Sequence, residues 1–373
     1  MTSPTLRDEL TSRLVEQCGF VCTTGDEAPI ADAVTARYDE RGDRVERVGN
    51  SVVVGARTSD RPLIVLVGHL DVVPPTDADR DPRVTVRDGA DVVVGRGTSD
   101  MKSGNVVAMT LFEDDDLRAR AAYDLALVFY AGEEGPAENN ELADVLAQVS
   151  WLTEASLAVV LEPTDGQVQL GCLGGLHALV TFPGRAAHSA RPWHGRNALT
   201  AAGAFLANLN DDHVVDVDVD GIAYRDVWSA TQAWTTGLGP APRSAAPPPR
   251  NILPDTFTIN LNFRFAPSRD LHAAEAELRE RCGDDVAVEI VDRSPPAPPR
   301  LDAPAVRDFV AAVDVPVAGK QAWTDVARFA ERGIPALNFG PGRTDQAHQR
   351  GEFVEVDALV TAHTRLTRFL VPQ

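Results

Sequence analysis

The segment LIVLVGHLD, residues 63–71, contains an uninterrupted apolar run that ends on a histidine and an aspartate. Short apolar runs bounded by glycine or polar residues are typical of strands buried on both faces in a parallel sheet. Further runs of this kind occupy residues 125–131, 157–161 and 335–339. Helices are predicted between several of them, for example at 102–112 and 140–154. This alternation predicts an α/β domain built on a mixed, largely parallel sheet.

The middle of the chain, residues 176–292, has a different pattern. It contains, in order, an alternating stretch at 177–182, a helix that opens near 195–197, a strand at 256–265, a helix at 270–282 and a strand at 286–291. This β-α-β-β-α-β-like order predicts an inserted α+β domain of the ferredoxin-like type. The first domain is then discontinuous and comprises residues 1–175 and 293–373. We interpret the proline-rich stretch 240–249 as a loop of the insert.

The composition limits the classes of function. The chain has 373 residues, 44% of them hydrophobic, which suits a globular protein of two domains. Its 55 acidic and 35 basic residues give a net charge of −20, which argues against nucleic acid as a partner. No apolar run approaches the roughly 20 residues that span a bilayer, and no signal-peptide pattern is present. The four cysteines are too few and too scattered for a disulfide framework, so we expect reduced thiols in a cytoplasmic protein.

Polar residues with metal-ligand chemistry follow all four predicted strands of the first domain. They are His69 and Asp71, then Glu133 and Glu134, then Glu162, and finally His348 after the turn at 340–342. In open α/β sheets, ligands bind outside the carboxyl ends of the strands, so we expect these side chains to converge. Two imidazoles with several carboxylates are a donor set that suits zinc.

Asp100 adds a further carboxylate to this set. It ends the glycine-rich turn GRGTSD (95–100), just before the helix that starts near Lys102. A carboxylate in such a turn could bridge two ions about 3.5–4 Å apart. Asp71, two residues after His69, can accept the second imidazole N–H and so select the tautomer.

The adjacent pair Glu133 and Glu134 is predicted to divide two tasks. Neighbouring side chains on an extended segment point in opposite directions. One of the two carboxylates can therefore bind metal while the other serves as a base.

Each of these residues, taken alone, has a more ordinary explanation. A histidine after a strand is commonly a hydrogen-bonded polar residue, and a Glu-Glu pair before glycine is commonly a solvated turn. Together they would require four independent coincidences at one edge of one sheet, which favours the metal site. His188, in AAHSARP (186–192), is by its context alone a surface-loop histidine.

The sequence resembles the family of dinuclear zinc peptidases and amidohydrolases that includes carboxypeptidase G, aminoacylase, acetylornithine deacetylase and succinyl-diaminopimelate desuccinylase. The resemblance covers nearly the whole chain, and the order and spacing of its motifs are highly specific. The motifs are GHLDVVP (68–74), GRGTSDMKSG (95–104), AGEEG (131–135), LEPT (161–164), AAHSARP (186–192), RNILPD (250–255) and the terminal His348.

The resemblance implies two Zn²⁺ ions per chain, with Co²⁺ as a possible substitute. His69 and Glu162 would hold one ion and Glu134 and His348 the other. Asp100 would bridge the two ions and precede a cis peptide bond.

The resemblance also implies roles for three residues that do not bind metal. Glu133 would be the general base, and Asp71 would support His69. The insert would act as a lid that pairs two subunits of a homodimer. His188 of one subunit would then stabilise the oxyanion in the active site of the other.

Within the family, the segments 171–199, 261–267, 323–329 and 334–342 are similar to succinyl-diaminopimelate desuccinylases of high-GC bacteria, which act in lysine and diaminopimelate biosynthesis. Their substrate carries carboxylates at both ends, which Arg264 and Arg191 would meet, with Asn251 as a polar contact. Thr324 and the backbone at Gly340 would bind the succinyl end. Each arginine also has the ordinary explanation of a structural or surface ion pair.

Two departures leave alternatives open. The chain has GCLG (171–174) where better-known desuccinylases carry an Arg-Arg-Gly-Ser-like stretch, and its loop at 240–249 is longer and richer in proline. Acetylornithine deacetylase and a broader N-acyl amino acid hydrolase or carboxypeptidase therefore stay alternatives. A non-catalytic metal-binding scaffold is disfavoured, because none of the five ligands is missing and Glu133 is retained.

Overall fold

The computed structural model describes residues 5–57, 59–211, 213–235 and 250–372, so the predicted loop at 240–249 lies outside the described residues. The α-helices of the described residues are α1 (Leu6–Cys18), α2 (Ala28–Arg41), α3 (Lys102–Glu113), α4 (Asp115–Arg120), α5 (Leu142–Gln148), α6 (Ala198–Ala201), α7 (Gly203–Asp211), α8 (Leu271–Cys282), α9 (Pro304–Val313), α10 (Val326–Glu331) and α11 (Val356–Leu370). The strands are β1 (Val45–Val48), β2 (Ser51–Val54), β3 (Leu63–His69), β4 (Arg83–Arg87), β5 (Ala90–Val94), β6 (Asp124–Tyr130), β7 (Ala155–Pro163), β8 (Val168–Leu170), β9 (Gly174–Pro183), β10 (Val214–Val219), β11 (Ile222–Thr235), β12 (Thr256–Phe265), β13 (Ala287–Ser294), β14 (Val317–Gly319), β15 (Ala336–Gly340) and β16 (Phe353–Glu355).

The largest sheet has eight strands in the order β1-β2-β6-β3-β7-β15-β8-β14. Its central strands β6, β3, β7 and β15 are neighbours and run parallel. Antiparallel pairs flank them, β1 with β2, β2 with β6, and β15 with β8. The prediction of a mixed, largely parallel sheet is therefore confirmed. The four predicted strands are β3, β6, β7 and β15, and nearly all of their residues are buried, because the sheet is covered on both faces.

The helix predicted over 140–154 is wrong as a continuous element. Helix α5 ends at Gln148, and a 3₁₀ helix, Ser150–Glu154, follows it. Between them Val149 leaves the helical region at φ −96° and ψ 76°. The apolar residues on both sides are buried, so their spacing gave no sign of the turn by which the chain enters β7.

A second sheet is antiparallel and has five strands in the order β10-β11-β12-β9-β13. The apolar side chains of β9 and β12 alternate and form one core with α8, in which Val180, Ile259 and Leu278 are fully buried. This confirms the separate α+β unit. Its element order contains one strand more than the ferredoxin-like pattern, because β10 and β11 both precede β12.

The chain divides into two compact units. The first comprises Met1–Gly171, Arg300–Ala318 and Arg328–Gln373, and the second comprises Cys172–Pro299 and Gly319–Ala327. The segment 319–327, assigned from sequence to the first domain, belongs to the second unit. There the Trp323 indole donates to the Pro295 carbonyl at 3.0 Å. The roles of the units as catalytic domain and lid stay predictions.

Two further features of the described residues bear on function. All four cysteines are free and buried. No helix among these residues has both the length and the apolar character that a membrane crossing requires.

Candidate active site

Four of the five predicted metal ligands lie at the carboxyl ends of the parallel strands or in the segments that follow them, and the fifth, Asp100, follows the antiparallel strand β5. Strand β3 ends on His69, and β7 carries the largely buried Glu162 next to its last residue. The turn after β6 carries Glu134, and His348 follows the loop after β15. Asp100 ends the turn between β5 and α3 and precedes a cis peptide bond, as the resemblance implied.

The two carboxylate oxygens of Asp100 face two different histidines. Oδ1 lies 3.2 Å from Nε2 of His69, and Oδ2 lies 3.7 Å from Nε2 of His348. The same nitrogen of His348 lies 2.8 Å from a carboxylate oxygen of Glu134. Asp100 therefore lies between the two histidines, with one carboxylate oxygen toward each.

Two donor groups share Asp100. They are His69, Asp100 and Glu162, and Asp100, Glu134 and His348. Within each group the ligand atoms lie within 4.8 Å of one another, which is a separation that one coordinated cation can span. The donor chemistry, imidazole nitrogens with carboxylate oxygens, also suits a divalent transition metal, so the residues present fit such an ion.

The electrostatics of the site favour a cation. Burial alone would lower the pKa of His69, but the hydrogen bond with Asp100 and the charge of Glu133 raise it well above its ordinary value. For His348, the hydrogen bond with Glu134 raises the pKa more than partial burial lowers it. Both shifts reflect a concentration of negative charge, which a bound metal ion would neutralise.

The second contact of His69 differs from the prediction. Its Nδ1 lies 2.9 Å from the main-chain oxygen of Asp71, whereas the Asp71 carboxylate is 3.7 Å away. A carbonyl oxygen only accepts, so in the neutral ring Nδ1 carries the proton and Nε2 keeps its lone pair for a metal. The Asp71 carboxylate instead accepts the main-chain N–H groups of Glu133 at 3.0 Å and Glu134 at 2.9 Å.

The segment that carries Glu133 and Glu134 is a bend, not an extended strand. It turns at Gly132, which has φ 80° and would place a Cβ atom 2.0 Å from the Asn139 carbonyl oxygen. Oxygens of both carboxylates lie within 4.8 Å of one another and of His69. The prediction that the two side chains point in opposite directions along an extended segment is therefore wrong. The division of tasks between the two residues stays a prediction.

Glu352 is a buried residue near the site that the sequence analysis missed. Its carboxylate, 1% exposed, accepts four hydrogen bonds from the turn that carries Asp100. The donors are the main-chain N–H groups of Gly97, Ser99 and Asp100 at 3.0, 2.7 and 3.0 Å, and the Arg96 guanidinium at 2.9 Å. Burial raises its pKa to about 7 against the lowering effect of these bonds. Its position four residues after His348 was the one signal available in the sequence.

In the second unit, His188 lies on an exposed loop. Its Nδ1 accepts the main-chain N–H of Ala190 at 3.1 Å, so the neutral ring carries its proton on Nε2 as a donor. Arg191 lies in the same loop, and its N–H donates to the His188 carbonyl. Asn251 lies in a second loop, before β12, and its carbonyl accepts the Ser189 N–H. Three predicted residues are thus brought together in one loop cluster.

Arg264 lies on β12 of the second unit, where burial lowers its pKa. A Cβ atom on Gly175 of β9 would lie 2.8 Å from the guanidinium, so the glycine leaves room for it. Thr324 lies in the segment 319–327 of this unit and is 3% exposed. Gly340 belongs to the first unit, and its main-chain oxygen accepts the Thr164 hydroxyl at 3.1 Å.

The fold and the donor set together define a metal-dependent amidohydrolase. Residues 65–371 match the model of Peptidase family M20/M25/M40, and the chain belongs to this family.

The chain is similar to relatives over nearly its full length. A protein from Mycobacterium tuberculosis that carries the name succinyl-diaminopimelate desuccinylase is 36% identical over 366 residues, which cover 97% of each chain. Succinyl-diaminopimelate desuccinylase from Corynebacterium glutamicum is 34% identical over 372 residues, with 97% of this chain and 95% of the relative covered.

Solved structures support the fold. Aminopeptidase PepT from Bacillus cereus has a TM-score of 0.77 at 17% identity, with 98% of each chain covered. A dinuclear metal-binding peptidase of family M20 from Bacillus subtilis has a TM-score of 0.66 at 15% identity, with 98% of this chain and 97% of that chain covered.

Proposed function

We propose that the protein hydrolyses the amide bond of an N-acyl amino acid, specifically N-succinyl-L,L-diaminopimelate, to succinate and L,L-diaminopimelate. The observation that carries the hydrolytic chemistry is the position of Asp100, with one carboxylate oxygen toward each of two histidines. The names of relatives at 36% and 34% identity support the choice of substrate. We also propose that the protein is cytoplasmic, as predicted from the sequence.

The proposed cofactor is a pair of Zn²⁺ ions, for which Co²⁺ can substitute. His69 and Glu162 would hold one ion, Glu134 and His348 the other, and Asp100 both. When bound, such a pair supplies Lewis acidity toward the amide carbonyl and lowers the pKa of water toward about 7.

Glu133 is the proposed general base. An oxygen of its carboxylate lies within 4.8 Å of ligand atoms of His69 and Glu134, so it lies beside the proposed metal position. It takes a proton from the attacking water and passes that proton to the nitrogen of the leaving amine. One carboxylate thus serves both proton transfers.

His188 is the proposed donor to the oxyanion. With Nδ1 already accepting the Ala190 N–H, its Nε2–H is the group available for donation. In the proposed homodimer, formed through the lid, His188 of one subunit serves the active site of the other.

Substrate recognition is proposed to use cations and polar groups of the second unit together with the backbone at Gly340 of the first. Arg264 and Arg191 would meet the carboxylates of the substrate, and Asn251 would add a polar contact. Thr324 and the backbone at Gly340 would bind the succinyl end. Acetylornithine deacetylation or broader N-acyl amino acid hydrolysis are the alternative activities, and a metal-binding scaffold is the alternative of another class.

Three measurements test the proposal. Metal analysis is expected to find about two zinc ions per chain. Comparison of kcat/KM for N-succinyl-L,L-diaminopimelate, N-acetylornithine and a simple N-acyl amino acid is expected to favour the first. A preference for either of the other two would overturn the substrate, and turnover of none would favour the scaffold. Glu133→Gln is expected to keep the metal and lose turnover; wild-type kcat in this variant would refute the role of the base.

A further inference from the structure

The hydroxyl of Thr24 contacts the carboxylate that holds the proposed base in place. Thr24 Oγ1 donates to Oδ2 of Asp71 at 2.7 Å. The same oxygen accepts the main-chain N–H of Glu134, and Oδ1 accepts that of Glu133. The hydroxyl therefore opposes any rotation of the carboxylate away from these two N–H groups.

Thr24 is held in this position by its own segment. The Cys22 thiol donates to the Leu70 carbonyl at 2.9 Å, and the Val72 N–H donates to the Cys22 carbonyl, also at 2.9 Å. These contacts lie on both sides of Asp71. Residues 22–24 thus run beside residues 70–72 and form a brace along the turn after β3.

The methyl group of Thr24 makes a second contact with the catalytic turn. A Cβ atom added to Gly135 would lie 2.6 Å from Cγ2 of Thr24, so the threonine packs directly against the residue that follows Glu134. Thr24 therefore contacts the turn of the two glutamates in two ways. Its methyl group packs against Gly135, and its hydroxyl bonds the Asp71 carboxylate, which in turn accepts the N–H groups of Glu133 and Glu134.

We propose that Thr24 is a positioning residue for hydrolysis, which orients Asp71 and through it the main chain of Glu133 and Glu134. This inference rests on the proposed function of Glu133. Asp71 is fully buried, so water cannot readily replace the lost hydroxyl. Partners that orient a metal site in this way commonly contribute about 10–100-fold to activity or metal affinity, and a residue one step further out is expected at the lower end.

The first experiment compares three variants of the full-length, metal-loaded protein. Thr24→Val, which keeps the shape and removes the hydroxyl, is expected to lower kcat about tenfold with KM within about twofold of wild type. Thr24→Ser is expected to restore kcat to within about twofold. The matched control is Thr23→Val, because the Thr23 hydroxyl bonds Asp26 at 2.9 Å instead, and it is expected to retain wild-type kinetics.

A double-mutant cycle distinguishes action through Asp71 from a general loss of structure. In an Asp71→Ala background, which has no side-chain acceptor for the Thr24 hydroxyl, Thr24→Val is expected to lower kcat by less than about twofold, since the two changes remove one interaction. A full tenfold loss in that background would overturn the proposal. So would wild-type kcat in Thr24→Val, or a loss that Thr24→Ser does not restore.

Metal affinity provides a readout that does not need turnover. In competition with a chelator, Thr24→Val is expected to bind Zn²⁺ at least about threefold more weakly than Thr23→Val. The reason is that the Thr24 hydroxyl and the Glu134 N–H donate to the same oxygen of Asp71. If wild type hydrolysed no N-acyl substrate, the proposed function would fail while this comparison still tested Thr24. Equal affinities would then overturn the positioning role.

Discussion

The main-chain N–H of Asp100 donates a hydrogen bond of 3.0 Å to the buried carboxylate of Glu352. The two residues lie 252 positions apart in the chain. Glu352 also accepts the N–H groups of Ser99 and Gly97, so a single carboxylate organises most of the turn that carries the proposed bridging ligand. The geometry of Asp100 therefore depends on a distant segment, and not only on its own glycine-rich motif.

Glu352→Gln tests this dependence. The amide has one accepting oxygen and presents N–H groups toward donors, so at least one bond to the turn is lost. We expect a loss of metal affinity of about tenfold, measured by chelator competition. Glu355→Gln is the matched control, since Glu355 has an ion pair at 3.9 Å with a half-exposed arginine, and it is expected to bind metal like wild type. Unchanged affinity in Glu352→Gln would show that the turn holds its geometry without the carboxylate.

Metal removal is predicted to lower thermal stability. Without an ion, Asp100, Glu134 and Glu162 concentrate negative charge beside two histidines, whereas a ligand that binds only the folded state stabilises it by mass action. At an ion concentration of 100 times Kd the gain is about 2.7 kcal/mol, which corresponds to a Tm shift of a few degrees. Calorimetry with chelator, and then with added Zn²⁺, measures it. Identical Tm values in the two conditions would contradict a specific site.

Glu113 is predicted to make the free energy of unfolding depend on pH. Its side chain, 7% exposed, forms ion pairs with the guanidinium groups of Arg37 and Arg13, each at 2.7 Å. Burial by itself raises the pKa of Glu113, but the Arg37 hydrogen bond and the Arg13 charge outweigh it, so the net pKa is lowered. A lowered pKa stabilises the fold above the unfolded value near about 4.3, and this contribution is lost as the pH falls through the folded value.

Glu113→Gln should therefore reduce the free energy of unfolding by about 1–3 kcal/mol at pH 7. The difference from wild type should shrink below about pH 4. Urea denaturation at several pH values measures both. Glu9→Gln is the control, because Glu9 also pairs with Arg13 but its side chain is 35% exposed, so only a small effect is expected. A difference independent of pH would refute the electrostatic explanation.

Gly104→Ala is predicted to destabilise the protein, although alanine normally improves a helix interior by about 1 kcal/mol. A Cβ atom at Gly104 of α3 would lie 2.5 Å from the main-chain oxygen of Leu161, next to Glu162. Overpacking of this kind costs about 1–3 kcal/mol, so the net change is expected to be a loss. At Gly203 of α7, an added Cβ atom would have no heavy atom of the described residues within 4 Å, apart from the adjacent residues and the backbone of its own helix. Gly203→Ala is therefore expected to be neutral or stabilising. Equal effects at the two positions, measured by denaturant unfolding, would contradict the steric argument.

The elements that the sequence predicted best are those with a local signature. A strand that is buried on both faces needs apolar residues at every position, so the run 63–67 predicts such a strand. All residues of β3 are indeed buried. The 14-residue strand β11 was missed, because the buried Asp226 interrupts the alternation of its inward apolar residues and its second half is largely exposed. The break at Val149 was missed because the residues on both sides are apolar and buried.

By itself, the sequence determined the parallel strands, the donors at their ends and the family to which the chain belongs. The strands and the donors follow from apolar periodicity and from residue types at short spacings, and the family follows from the resemblance of the motifs to known sequences. Only the tertiary structure decided that Asp71 contacts His69 through its carbonyl, that Glu352 holds the Asp100 turn and that Thr24 reaches Asp71. The physical reason is that these are hydrogen bonds whose partners are main-chain groups or distant segments, and such bonds leave no pattern in the local order of residues.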